Sequence, residues 1–138
     1  MLAGASEILG YATEALLLAG DLDAADKQLD EALEIADKLG ERVYLPQLLL
    51  MEAAIDRARG DTVAADAATA RAVAEARAQE APWLELITLT ELCAHDKATA
   101  EDRRALVTLV DRLPQAHDTT AVTNARKLLD KMSLTKRR

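Results

Sequence analysis

Apolar residues recur along this chain at spacings of three and four, the pattern of helices that turn one face to a core. The clearest stretch runs over 22–39. Leu22, Ala25, Leu29, Ala32, Ala36 and Leu39 line up as one stripe, and Asp23, Lys27, Asp30, Glu34 and Asp37 occupy the remaining surface. The same reading predicts helices near 6–19, 22–39, 44–59, 62–79, 82–95, 100–113 and 119–132. Pro82 suits the first turn of the fifth helix, and Pro114 is placed to end the sixth. Asp118 or Thr119 is the expected cap of the seventh.

Gly20, Gly40 and Gly60 follow three of these segments at intervals of 20 residues. A helix that ends in a left-handed turn places there a residue without a Cβ. Asp21 and Asp61, each directly after a glycine, are positioned to accept hydrogen bonds from the free N–H groups of the next helix. A shift of 40 residues superposes Leu9 on Leu49 and Leu89, Ala25 on Ala65 and Ala105, and Leu33 on Val73 and Leu113. The third copy is degenerate: Ala100 stands where Gly20 and Gly60 stand, and Arg112 replaces Ala32 and Ala72. The expectation is one all-α domain over 1–138, with hairpin repeats near 6–40, 44–80 and 82–113, a closing helix near 119–132 and a basic tail over 133–138.

The first and third helices are apolar around most of their circumference, with Leu16-Leu17-Leu18 and Leu48-Leu49-Leu50-Met51. Such helices need neighbours on more than one side, as the inner helices of a stacked solenoid have. Half of the residues are hydrophobic, yet aromatics make up 2% and Phe is absent, so close helix approach must replace bulky core side chains. The fourth segment, built mainly of alanine, suits that approach. The single Cys93 excludes an internal disulfide. With no basic leader and no apolar run of about 18 residues, the expected location is cytoplasmic, away from any membrane.

The net charge of −7 is unevenly spread. Residues 1–60 carry 12 acidic and 5 basic side chains, whereas 61–138 carry 12 of each. Such a field disfavours nucleic acid and favours a protein partner with a basic or apolar surface.

At its turns the chain resembles the tetratricopeptide repeat, in Gly20-Asp21-Leu22 followed by Ala25, Leu29 and Ala32, and in Gly60-Asp61 followed by Ala65 and Ala72. It departs from the strict repeat in its longer period, in Thr69 where a bulky residue is usual, and in Asp37 and Arg77 where that family has a terminating Pro. The segments from Leu39 to Leu48 and from Ala125 to Asp130 look like the C-terminal tetratricopeptide-like region of large bacterial signalling ATPases, cyclases and transcriptional regulators. Gln47, Ala53 and Ala100 differ from that pattern. The resemblance implies a right-handed superhelix of antiparallel helix hairpins, a tetratricopeptide-like α-solenoid of about seven helices that senses a ligand or partner, with no catalytic residues in this region.

Candidate chemistry adds little. Cys93 and His95 are two apart on a helix and point about 200° away from each other, so with Asp96 they do not converge on a metal or nucleophile site. His117-Asp118 precedes the last helix and is no better placed. The run Asp21, Asp23, Asp26 and Asp30 lacks the central glycine and closing glutamate of a calcium loop, and Ala32 stands at the latter position. It reads as a solvated helix face. Trp83 reads as a packing anchor between repeats. No cofactor, metal or catalytic set is expected. The expected activity is protein interaction, with Glu7, Glu14, Leu17, Gln47, Leu50 and Arg57 turned to a groove that accepts a peptide or helix. The alternative is self-association, a homodimer through the N-terminal helix; a pocket for a small molecule or an enzymatic role is the third.

Overall fold

The computed structural model describes residues 5–112 and 119–136, with side chains described over 9–112 and 121–132. Pro114, His117, Asp118, Arg137, Arg138 and the side chain of Glu7 lie outside the described residues. Among the described residues the protein is all-α. The helices are α1 (Ala5–Leu18), α2 (Leu22–Leu39), α3 (Leu45–Ala58), α4 (Thr62–Ala78), α5 (Pro82–Ala94), α6 (Ala100–Arg112) and α7 (Thr119–Lys136). Their bounds follow the apolar periodicity closely. The one extension is α7, which passes the expected end at Met132 because the following Ser-Leu-Thr-Lys contains neither Gly nor Pro to stop it.

Helices α1 to α5 all end in the same way. The backbone N–H two residues past the last turn donates to a carbonyl five residues back: Asp21 to Leu16 at 3.0 Å, Glu41 to Ala36 at 2.9 Å, Asp61 to Asp56 at 2.9 Å, Ala81 to Ala76 at 3.1 Å and Lys97 to Leu92 at 3.3 Å. This closure forces the intervening residue into the left-handed region. Gly20, Gly40 and Gly60 occupy it with φ of 81°, 66° and 85°, and Glu80 and Asp96 occupy it with φ of 51° and 58°.

The third hairpin therefore turns at Asp96, ahead of the Ala100 position that the 40-residue period aligns with Gly20 and Gly60. Ala100 is instead the first residue of α6. The shift has a local cause. Thr99 and Asp102 form a reciprocal cap, with the Asp102 N–H donating to Thr99 Oγ1 at 3.1 Å and the Thr99 N–H donating to Asp102 Oδ2 at 2.9 Å. The earlier hairpins use the simpler expected cap, in which Asp21 accepts from the Ala24 N–H at 3.2 Å and Asp61 from the Ala64 N–H at 3.1 Å.

The chain divides into two compact units, Met1–Glu75 and Ala76–Arg138, with the division near the end of α4. In the first, α1 packs on α2 and α3, and α2 packs on α3. Ala25, Leu29, Ala32, Ala36, Leu48 and Ile55 form its buried core, against which Leu9, Leu16, Leu17, Leu33 and Met51 pack. A second buried cluster joins Ala53 of α3 to Ala65 and Ala68 of α4, where side chains of one carbon let the two backbones come close. Gly10 does the same between α1 and α3: a Cβ there would stand 3.2 Å from Leu48 Cδ2.

In the second unit α5 packs on α6 and α7, and α6 packs on α7. The buried residues are Leu86, Leu89, Leu92 and Cys93 of α5, Leu106, Leu109 and Val110 of α6, and Val122 and Ala125 of α7. Buried threonines in both units satisfy their hydroxyls within their own helix. Thr13 donates to the Leu9 carbonyl at 2.8 Å, Thr69 to Ala65 at 2.9 Å and Thr88 to Leu84 at 2.9 Å. A threonine at 69 thus fills a core position without leaving an unpaired polar group.

Candidate interaction surface

The predicted groove residues lie on α1 and α3, two helices that touch each other in the first unit. Glu14 and Gln47 are exposed, whereas Leu17 and Leu50 are half-buried. Leu17 packs against the core shared by α1, α2 and α3, so its outer edge alone faces solvent. Arg57 is half-buried, and its Nη1 stands 3.3 Å from Asp66 Oδ1 of α4. That ion pair ties α3 to α4 and gives Arg57 a packing role in addition to any role in a groove.

Two of the acidic residues of α2 are held by one arginine. Arg59, just past α3, donates from Nη2 to Asp23 and from Nη1 to Asp26, each at 2.8 Å. The exposed face expected of the α2 aspartates is thus half a bridge to the next hairpin. Arg42 makes a two-pronged pair with Glu75, at 2.8 Å from Nε and 2.7 Å from Nη2. Burial pushes the carboxyl of Glu52 above the ordinary glutamate range, although Arg71 stands 3.5 Å away and opposes it. Burial also raises Asp56, helped by the charges of Asp61 and Asp26 and opposed by Arg59.

Around Cys93 the arrangement is inert. The side chain is buried, and burial together with the charge of Asp102 pushes its thiol up, against a weaker opposing pull from Arg103. The reactive thiolate is disfavoured there. His95 Nε2 lies 3.6 Å from Glu91 one helical turn earlier. Among the described residues no group of three or more His, Cys, Asp or Glu side chains gathers in a way that could hold a metal. None of the described helices is long and apolar enough to cross a membrane.

Two further surfaces were not singled out by periodicity. On α1, Tyr11, Glu14, Ala15 and Leu18 share one face at spacings of three, four and seven, and all are exposed, Leu18 to 83%. Between α6 and α7 runs an open groove of about 520 Å³, lined by Ala100, Arg103, Arg104, Val107 and Thr108 of α6 and by Leu129 and Met132 of α7. The α6 residues follow the same helical spacing. That signal was present in the chain, but a stripe that faces a groove reads the same as one that faces a core. A neighbouring hollow beside Arg77 and Arg112 is crossed by the Arg77–Glu85 pair at 3.6 Å and is correspondingly committed.

The chain matches no protein-family model, no curated protein and no solved structure. What the geometry offers is therefore the basis for function: exposed and half-buried faces on a helical framework, without a convergent set of reactive groups among the described side chains.

Proposed function

We propose that this chain is a non-enzymatic helical-repeat module that binds a protein segment on the face formed by α1 and α3. The observation that carries the reading is the contact between these two helices, each the first of its hairpin, with Glu14 and Gln47 exposed beside half-buried Leu17 and Leu50. A helix that touches both members of the preceding hairpin is the packing that stacked hairpins use, and it supports a tetratricopeptide-like right-handed superhelix. The mixture of carboxylate, amide and apolar groups suits an amphipathic partner with basic residues. The resemblance of the segments from Leu39 to Leu48 and from Ala125 to Asp130 supports a place as the sensing or scaffold region of a larger cytoplasmic bacterial signalling protein.

The test is selection of peptides from a displayed library, followed by titration of the selected peptides. Sequences rich in Lys, Arg and apolar residues are expected, with binding weakened by Glu14→Lys and abolished in a folded Leu17→Glu, Leu50→Glu double variant. Equal binding by the folded variants would overturn the reading.

A second reading, self-association through α1, is favoured by a different observation, the exposed stripe of Tyr11, Ala15 and Leu18. An exposed helix face of this composition supplies apolar area for contact with a second chain.

A further inference from the structure

We propose that the exposed stripe of α1 in one copy of this chain seats in the α6–α7 groove of a second copy, with Glu14 meeting the guanidinium groups of Arg103 and Arg104. The inference rests on the self-association reading and specifies where the stripe docks.

The two surfaces are complementary in charge, and each presents apolar side chains. The stripe is one turn-spaced face of a helix, with Leu18 projecting, Ala15 permitting close approach and one carboxylate, Glu14, between apolar neighbours. The groove is open to solvent, so it takes a helix laid onto it more readily than an enclosed molecule. Its apolar lining is Val107, 45% exposed, with Leu129 and Met132 opposite on α7. Its charged residues are two arginines that pair with no carboxylate among the described residues. Arg103 spends Nη1 on the Ala98 carbonyl at 3.1 Å, and its Nε is shielded from solvent without a partner. Arg104 is exposed.

The distribution of charge favours this occupant over an unrelated acidic peptide. All of the excess negative charge lies in residues 1–60, on the end that carries the stripe, and residues 61–138 carry equal numbers of acidic and basic side chains. A contact of the first region of one copy with the last helices of another joins unlike surfaces, whereas α1 against α1 would set two Glu14-bearing faces together. The contact is heterologous: each copy still offers an unused stripe or groove unless the assembly closes on itself.

The experiment is sedimentation across a concentration series at low and high salt, with circular dichroism to establish folding of each variant. Wild type is expected to self-associate, more weakly at high salt. Glu14→Arg and Arg104→Glu, studied separately, are each expected to weaken association by about tenfold or more through like-charge contact. Mixing the two variants is expected to restore a 1:1 complex, because the Glu14 stripe of the second variant meets the Arg104 groove of the first and the reversed pair also matches in charge. Association unchanged by Arg104→Glu while Leu18→Glu abolishes it would overturn this docking and leave α1 pairing with α1. A wild-type protein that stays monomeric at the highest attainable concentration would overturn both. Failure of the mixture to recover, with both single variants folded and weakened, would show that the two charges do not meet.

Discussion

The two compact units close their helices with the same backbone hydrogen bonds but place different residues at the corner. Among the described residues the left-handed positions of Met1–Glu75 are Gly20, Gly40 and Gly60, while those of Ala76–Arg138 are Glu80 and Asp96. A residue with a Cβ costs roughly 1–2 kcal/mol in that region, somewhat less for Asp than for Glu. The second unit accepts this strain, and it holds the beginning of α6 with a reciprocal cap, where α2 and α4 of the first unit use a single aspartate acceptor. The comparison teaches that each corner is set by the carbonyls that must be satisfied at a helix end, with the 20-residue interval kept as far as Glu80 and shortened at Asp96. Glycine makes the corner easier to form and easier to read in a sequence.

Core truncation is the largest disturbance in either unit. Leu29→Ala in α2 and Leu106→Ala in α6 remove fully buried side chains and are expected to lower stability by about 2–5 kcal/mol each, measured by urea denaturation. A loss below 1 kcal/mol at Leu106 would mean that the core of the second unit is loosely packed, and the comparison of corners would then need a different reference.

Next in size is the cap of α6. Asp102→Ala removes the acceptor for the Thr99 N–H and for Arg77 Nη2, which stands at 3.3 Å, and is expected to cost about 1–2 kcal/mol. Burial alone would raise the Asp102 carboxyl, but the hydrogen bonds from Thr99 and Arg77 outweigh it and hold it below the ordinary aspartate range. The lowered folded value fixes the sign. This contribution is present above the ordinary aspartate pKa and is lost as pH falls through the depressed one, so the difference between wild type and Asp102→Ala should shrink in acid.

The corners themselves can be exchanged. Gly60→Ala is expected to destabilise by about 1–2 kcal/mol, although a Cβ there would meet nothing within 4 Å, because the strain is in the backbone. Glu80→Gly is expected to stabilise by about 0.5–1 kcal/mol, the backbone relief exceeding the added freedom of the unfolded chain. Thermal melts of the two variants should move in opposite directions. Movement in the same direction would break the comparison.

The smallest effect sharpens it electrostatically. Glu52 and Asp56, in the first unit, have carboxyls raised mainly by burial. A raised folded pKa reverses the sign found for Asp102: the stabilisation is present below the ordinary carboxylate pKa and is lost as pH rises through the folded one. Glu52→Gln should therefore stabilise slightly at neutral pH, and its advantage over wild type should disappear on acidification. A stability difference that does not change with pH would show that Arg71 fully compensates the burial of Glu52.

By itself the sequence determined the local order of this protein. The periods of 3.6 and 20 residues placed both ends of α2 to α5, the end of α1 and the start of α6 within one residue of those observed, and Asp21 and Asp61 revealed their capping role. These features depend on neighbours within a turn or two, where residue type and geometry are tightly linked. The corners at Glu80 and Asp96 were not legible, because no residue with a Cβ announces a left-handed turn and the hydrogen-bond closure alone imposes it. Tertiary structure also decided which charges meet. Arg42 with Glu75 and Arg59 with Asp26 are 33 residues apart, and Arg57, one of the expected groove residues, found Asp66 across a hairpin. It likewise decided that Leu17 turns partly into the core while Leu18 projects from α1. Adjacent leucines have nearly the same intrinsic preference, and only the position of the neighbouring helices sets one against the core and leaves the other for a partner.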